Sequence, residues 1–109
     1  MELEKSLTAK IPFDSDKLKA FCQKFQIKEF YFFGSVLTDG FSPESDVDVM
    51  VAPLESARWS LFDHVEMKLE LEELFRRPVD LITRAGLERS SNYIRRKNIM
   101  NTAELVYEQ

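Results

Sequence analysis

Apolar positions along this chain follow two spacings, one suited to helices and one to strands. Leu18, Phe21, Cys22 and Phe25 recur at helical spacing behind Asp14-Ser15-Asp16, which offers an N-cap, so a helix is expected from there to about Gln26. Ile27 to Phe33 is aromatic-rich and nearly continuous, which suits a first strand covered on both faces. Gly34-Ser35 ends that strand, and Val36 to Ser45, with Gly40 and Pro43, reads as a loop or short helix. Asp46 to Val51 is a second strand, stopped by Pro53. Ser60 to Arg77 is the longest helix, with Ser60 as cap and Asp63 in a first turn whose dipole favours negative charge. Pro78 to Thr83 reads as a third strand, Ala85 to Ile99 as a weak helix, Asn101-Thr102 as a turn and Ala103 to Tyr107 as a short final strand. This order predicts a two-layer α+β domain over residues 14–109, with residues 1–13 as a lead-in segment.

One helix does not fit a single buried stripe. At 100° per residue, Leu61, Phe62, Val65, Met67, Leu69, Leu71, Leu74 and Phe75 cover about two-thirds of its circumference. A sheet covers only part of such an arc. The remainder is expected to meet either the terminal segments or a partner, a second copy of the chain or another protein, through the 60–75 helix.

Composition narrows the classes of function. With 109 residues, 44% of them hydrophobic and nine of them Phe, the chain suits one compact domain with a core. Its net charge of −4 and pI of about 5.0 lack the basic footprint of a protein that grips a nucleic-acid backbone, so no direct nucleic-acid contact is expected. The acidic start Met1-Glu2-Leu3-Glu4-Lys5 lacks a secretory pattern, and no apolar run approaches the ~20 residues of a membrane span. A cytoplasmic location without a membrane partner is the expectation. Cys22, the only cysteine, has no disulfide partner and reads as a small core residue. His64 has no second His or Cys at metal-ligand spacing, and reads as a structural or interfacial residue. Trp59 and Phe62 read as core or partner contacts.

The candidate chemistry lies in the carboxylates. Asp46 and Asp48 stand at alternate positions of a strand, which puts them on one face about 6.5–7 Å apart. Asp80, flanked by apolar residues in a strand able to pair beside it, would complete a three-carboxylate cluster. Hard cations such as Mg²⁺ favour oxygen ligands of this kind and use them to manage phosphate oxygens. Gly34-Ser35 at a strand end offers backbone N–H groups and a hydroxyl to phosphate oxygens, with Gly permitting close approach. A nucleoside triphosphate with Mg²⁺ needs both parts.

Gly34-Ser35, ten intervening residues, Asp46-Val47-Asp48, and later Pro78-Val79-Asp80-Leu81 resemble the signature and third aspartate of the DNA-polymerase-beta-like nucleotidyltransferase superfamily. More closely, the chain resembles the small single-domain prokaryotic nucleotidyltransferases of the minimal antitoxin type. The similarity covers roughly residues 14–107, through "FGSVL", "FSPESDVDVMV", "LELEELFRRPVDLIT" and "LVYE". The resemblance implies a mixed sheet with helices mainly on one side, and ATP with Mg²⁺ held at Gly34, Ser35, Asp46 and Asp48. Asp80 would add to the metal site and help draw the proton from the attacking oxygen. It further implies transfer of AMP to a hydroxyl, a tyrosine, of a HEPN-type toxin that such antitoxins silence. One departure stands out: relatives commonly carry Arg a few residues after the Ser, whereas Val36-Leu37-Thr38-Asp39 has no cation. Arg84, Arg95, Arg96 or Lys97 would have to supply it. The departure leaves room for a second class of function, a nucleotidyltransferase fold that neutralises or scaffolds a partner by contact. A third is a dimeric enzyme acting on a small molecule.

Overall fold

The computed structural model describes residues 2–3, 13–34 and 45–109 of the chain. Within them the elements are β1 (Glu2–Leu3), α1 (Ser15–Lys24), β2 (Ile27–Phe33), β3 (Val47–Pro53), α2 (Leu61–Phe75), β4 (Val79–Thr83), α3 (Arg84–Glu88), α4 (Tyr93–Thr102) and β5 (Glu104–Glu108). The segment 36–45, read as a loop or short helix, lies outside the described residues up to Glu44.

Local chemistry sets the helix ends. Asp14 caps α1, its Oδ1 accepting from the Asp16 N–H at 2.9 Å and the Lys17 N–H at 3.2 Å. The chain leaves α1 through Gln26 in a left-handed conformation, φ 55°, and enters β2 at once. Ser60 and Asp63 form a reciprocal capping box at the start of α2, and Arg76, at φ 58°, closes its end.

The strands form one five-stranded mixed sheet in the order β1-β5-β2-β3-β4. The β2/β3 and β2/β5 pairs are antiparallel. The β3/β4 pair is parallel, which requires the crossover that α2 supplies. Glu2 and Leu3, inside the stretch read as a lead-in, pair with Glu108 and Tyr107 of β5.

The two faces of the sheet are not equivalent. On one, Phe30, Phe32, Val47, Val49, Val51, Val79, Leu81 and Val106 pack with Leu18, Phe21, Cys22, Met67, Leu71 and Phe75 of α1 and α2. Phe32 meets Phe75 at 5.6 Å between ring centroids, and Phe13 closes on both rings at 5.9 and 6.1 Å. Each fully buried Leu, Val, Met or Phe here contributes roughly 1.5–3 kcal/mol. Trp59 joins this core and donates its indole N–H to the Phe25 carbonyl at 2.7 Å. The opposite face carries a smaller cluster of Phe33, Met50, Leu87 and Ile99, in which α3 and α4 cover part of the sheet. β2 is therefore covered on both faces, as its continuous apolar run predicts.

The helix predicted over 85–99 is two helices, separated at Arg89 to Asn92. Asn92 caps the second, its Oδ1 accepting from the Arg95 N–H at 3.0 Å. Asn101-Thr102, read as a turn, completes α4. The break turns the polar start of α4 toward the carboxylates described next.

Candidate active site

Strand parity decides which face each acid takes. In β3, Val47, Val49 and Val51 are buried against α1 and α2, so Asp48 and Met50 face the other way. In β4, Val79 and Leu81 point into that same core and Asp80 points out. The register across the parallel seam pairs Asp48 with Asp80 directly, so both carboxylates share one face on strands about 4.8 Å apart. Glu72 of α2 helps fix the start of β4, its carboxylate accepting from the Val79 N–H at 3.0 Å.

Gly34 completes this corner. Phe33 is the antiparallel register partner of Asp48, so the next residue sits beside the Asp48 side chain. Gly34 has φ +71°, and a Cβ placed there would collide with the Asp48 carboxylate, lying 3.2 Å from its Cγ. Only glycine meets both demands. The glycine thereby lets the strand end pack directly against the Asp48 carboxylate.

Gly34, Asp48 and Asp80 open into one cleft of about 640 Å³, whose other lining includes Phe33, Asn92, Arg95, Asn98 and Ile99. Arg95 approaches the Asp80 Oδ2 at 3.9 Å, both side chains being half-exposed. Asp46 stands one residue ahead of β3 and is exposed, so the pleat that orients Asp48 does not hold it. Among the described residues no three His, Cys, Asp or Glu side chains are gathered to hold a metal ion. The structure thus brings Asp48 and Asp80 to one cleft, while Asp46 stands exposed just ahead of β3 and is not gathered with them into a three-acid group. Ser35 lies outside the described residues. The two carboxylates on adjacent strands nevertheless suit a hard divalent cation, which takes oxygen ligands of this kind.

The four cations named from sequence differ in place. Arg84 is bound to Glu29 at 2.9 Å. Arg96 donates to the Ser90 carbonyl at 2.9 Å and lies over the Tyr93 ring. Arg95 alone of the four lines the cleft. Asn92, Asn98 and Ile99 were not anticipated there; the run Ser90-Ser91-Asn92 carries the break-and-cap signal that would have revealed them.

Away from the cleft, the broad arc of α2 divides as its geometry requires. Met67, Leu71 and Phe75 are buried, whereas Leu61 is 77% and Phe62 85% exposed, with Val65 and Leu69 also exposed along the same helix. His64 lines an adjoining groove with Trp59, Leu61 and Ala85. Cys22 is wholly buried, and desolvation pushes its thiol well above the ordinary range, which excludes a thiolate nucleophile at neutral pH. Among the described residues no helix is long and apolar enough to cross a membrane.

Comparison with known proteins identifies the fold and the family. The family model for the nucleotidyltransferase domain matches residues 15–104. A solved minimal nucleotidyltransferase superposes with a TM-score of 0.63 at 27% identity, over 82% of this chain and 85% of its own. A toxin–antitoxin crystallised with AMP-PNP gives 0.65 at 17% identity, over 86% of this chain and 73% of that one. A tri-AMPylated Shewanella oneidensis HEPN toxin in complex with its MNT antitoxin gives 0.58 at 17% identity, over 86% and 69%. At those identities the last two share the fold. No curated protein matches. The matched span holds both sheet carboxylates, the glycine beside them and nearly every element of the fold, and the chain belongs to the nucleotidyltransferase domain family.

Proposed function

We propose that this chain transfers AMP from Mg-ATP to a tyrosine hydroxyl of a HEPN-type toxin, acting as the antitoxin of the pair. The observation that carries the nucleotidyl-transfer part is the register pairing of Asp48 with Asp80 beside Gly34. In this reading Asp48 and Asp80, with Asp46 as the third carboxylate, hold Mg²⁺. Gly34 and Ser35 offer N–H groups and a hydroxyl to the phosphates. Bound Mg²⁺ supplies positive charge against the charge that develops on the phosphate oxygens. The acceptor oxygen forms a bond to the α-phosphorus as the bond from that phosphorus to the bridging oxygen of pyrophosphate breaks. The acceptor's proton passes to the Asp80 carboxylate, and pyrophosphate leaves with the bonding electrons.

A protein acceptor is favoured by two features of the chain. The cleft is walled by α4 on one side and holds Asp48 and Asp80 within reach of solvent, and the stripe Leu61, Phe62, Val65 and Leu69 presents apolar surface that a partner would cover. The likeness to toxin–antitoxin structures supports the partner class. Incubation with labelled ATP, Mg²⁺ and the product of the adjacent gene tests the reading. Label on a partner tyrosine, absent with Asp48→Asn, is the expected result.

A second reading, neutralisation by contact without transfer, is favoured by the exposed position of Asp46 outside any three-acid group among the described residues. It requires Asp48→Asn to neutralise the partner as fully as the unmodified chain, with no label transferred.

A further inference from the structure

A nucleoside triphosphate brings several negative charges to a cleft that already holds two aspartates. Repulsion would exclude it unless cations answer that charge. The segment that joins Gly34 to Ser45 contains no Lys or Arg and includes the acids Asp39 and Glu44. Among the described lining residues, Arg95 is the one cation.

We propose that Arg95 is the phosphate-binding residue of this site, supplied from the start of α4. The assignment rests on the nucleotidyl-transfer reading of the cleft. Three observations set Arg95 apart. Its guanidinium lies 3.9 Å from the Asp80 Oδ2, at the acidic floor of the cleft. That ion pair is long and half-exposed, hence weak and readily exchanged for phosphate oxygens. Its backbone is fixed, because its N–H is the donor held by the Asn92 cap in the first turn of a ten-residue helix. Arg84 and Arg96 are engaged elsewhere, with Glu29 and with the Ser90 carbonyl.

A planar guanidinium grips phosphate oxygens with two parallel donors, which an ammonium does not reproduce. In the nucleotide-free protein the same group damps the repulsion between Asp48 and Asp80.

The test is equilibrium titration of the full chain with ATP, ADP, AMP and adenosine in Mg²⁺, for the wild type, Arg95→Gln and Arg95→Lys. The wild type should bind more tightly with each added phosphate. Arg95→Gln should lose about tenfold or more in ATP affinity and less than twofold for adenosine. Arg95→Lys should recover part of the loss, and the ATP affinity of the wild type should fall more steeply with salt than that of Arg95→Gln. Wild-type ATP affinity in Arg95→Gln, or an equal loss for ATP and adenosine, overturns the assignment alone. A wild-type chain that binds no ATP overturns it together with the nucleotidyl-transfer reading.

Discussion

Asp48 and Asp80 are register partners across the parallel seam of β3 and β4, and their side chains leave the same face of the sheet. Facing carboxylates on adjacent strands repel, and a divalent cation bound between them would relieve that repulsion. Mg-ATP should therefore raise the thermal midpoint of the wild type, by about 2.7 kcal/mol of stability at a hundredfold excess over Kd. Asp48→Asn and Asp80→Asn should lose most of that rise, and EDTA should abolish it in the wild type. Asp80→Asn should leave metal-free stability within about 0.5 kcal/mol, because Asp80 is half-exposed. Calorimetry with and without Mg-ATP checks each point.

Gly34 approaches Asp48 too closely for any side chain and holds φ +71°. Gly34→Ala should cost roughly 1–2 kcal/mol from the left-handed backbone, and the Cβ would push Asp48 from its place. ATP affinity should fall with it. Urea midpoints and nucleotide titration on the same samples check both effects.

Cys22 gives the chain an alkaline signature. Burial raises its thiol well above the unfolded value of about 8.5, so the folded state retains a proton that the unfolded state releases. The stability this confers is complete below about pH 8.5 and is lost as pH rises above it. By pH 9.5 the loss from this group alone is about 1.4 kcal/mol. Cys22→Ala should be less stable at pH 7 because it leaves a small cavity, and the gap to the wild type should narrow by about that amount at pH 9.5. Urea denaturation at the two pH values checks it; a constant gap contradicts it.

The exposed stripe on α2 should carry binding without carrying stability. Phe62→Glu and Leu69→Glu replace exposed side chains, so each should change unfolding free energy by no more than about 0.5 kcal/mol. Both should leave ATP affinity unchanged and weaken the complex with the proposed HEPN-type partner by about tenfold or more. Titration calorimetry with the partner, beside thermal melts, separates the two effects.

Much of this architecture was legible in the chain because hydrophobic spacing and strand parity are local properties. The alternation Val47, Val49, Val51 against Asp48, and Val79, Leu81 against Asp80, sorts the acids from the core before any contact is known. Tertiary facts were less legible. Asp46 reads as strand from its neighbours, yet the ladder begins at Val47, whose N–H bonds to the Pro78 carbonyl at 3.0 Å. The pairing of Glu2 with Glu108 joins the two ends of the chain, and nothing local signals it. The break at Ser90 to Asn92 was visible as cap chemistry within a weakly helical run, and missing it concealed how α4 delivers Arg95, Asn92 and Asn98 to the cleft. That α2 is too apolar for one sheet to cover was legible from its circumference, but whether a terminal segment covers the remainder was not, and the structure leaves Leu61, Phe62, Val65 and Leu69 exposed.

The most direct test is transfer itself. Purified chain, α-labelled ATP, Mg²⁺ and the HEPN-type partner are combined, and label on the partner is followed over time by mass spectrometry and gel. The wild type should give adenylylated tyrosine with release of pyrophosphate, and Asp48→Asn and Asp80→Asn should each lose at least a hundredfold at unchanged thermal midpoints without metal (~2.7 kcal/mol or more of transition-state stabilisation). Unlabelled partner that is nonetheless fully neutralised by all three proteins would contradict the proposed transfer.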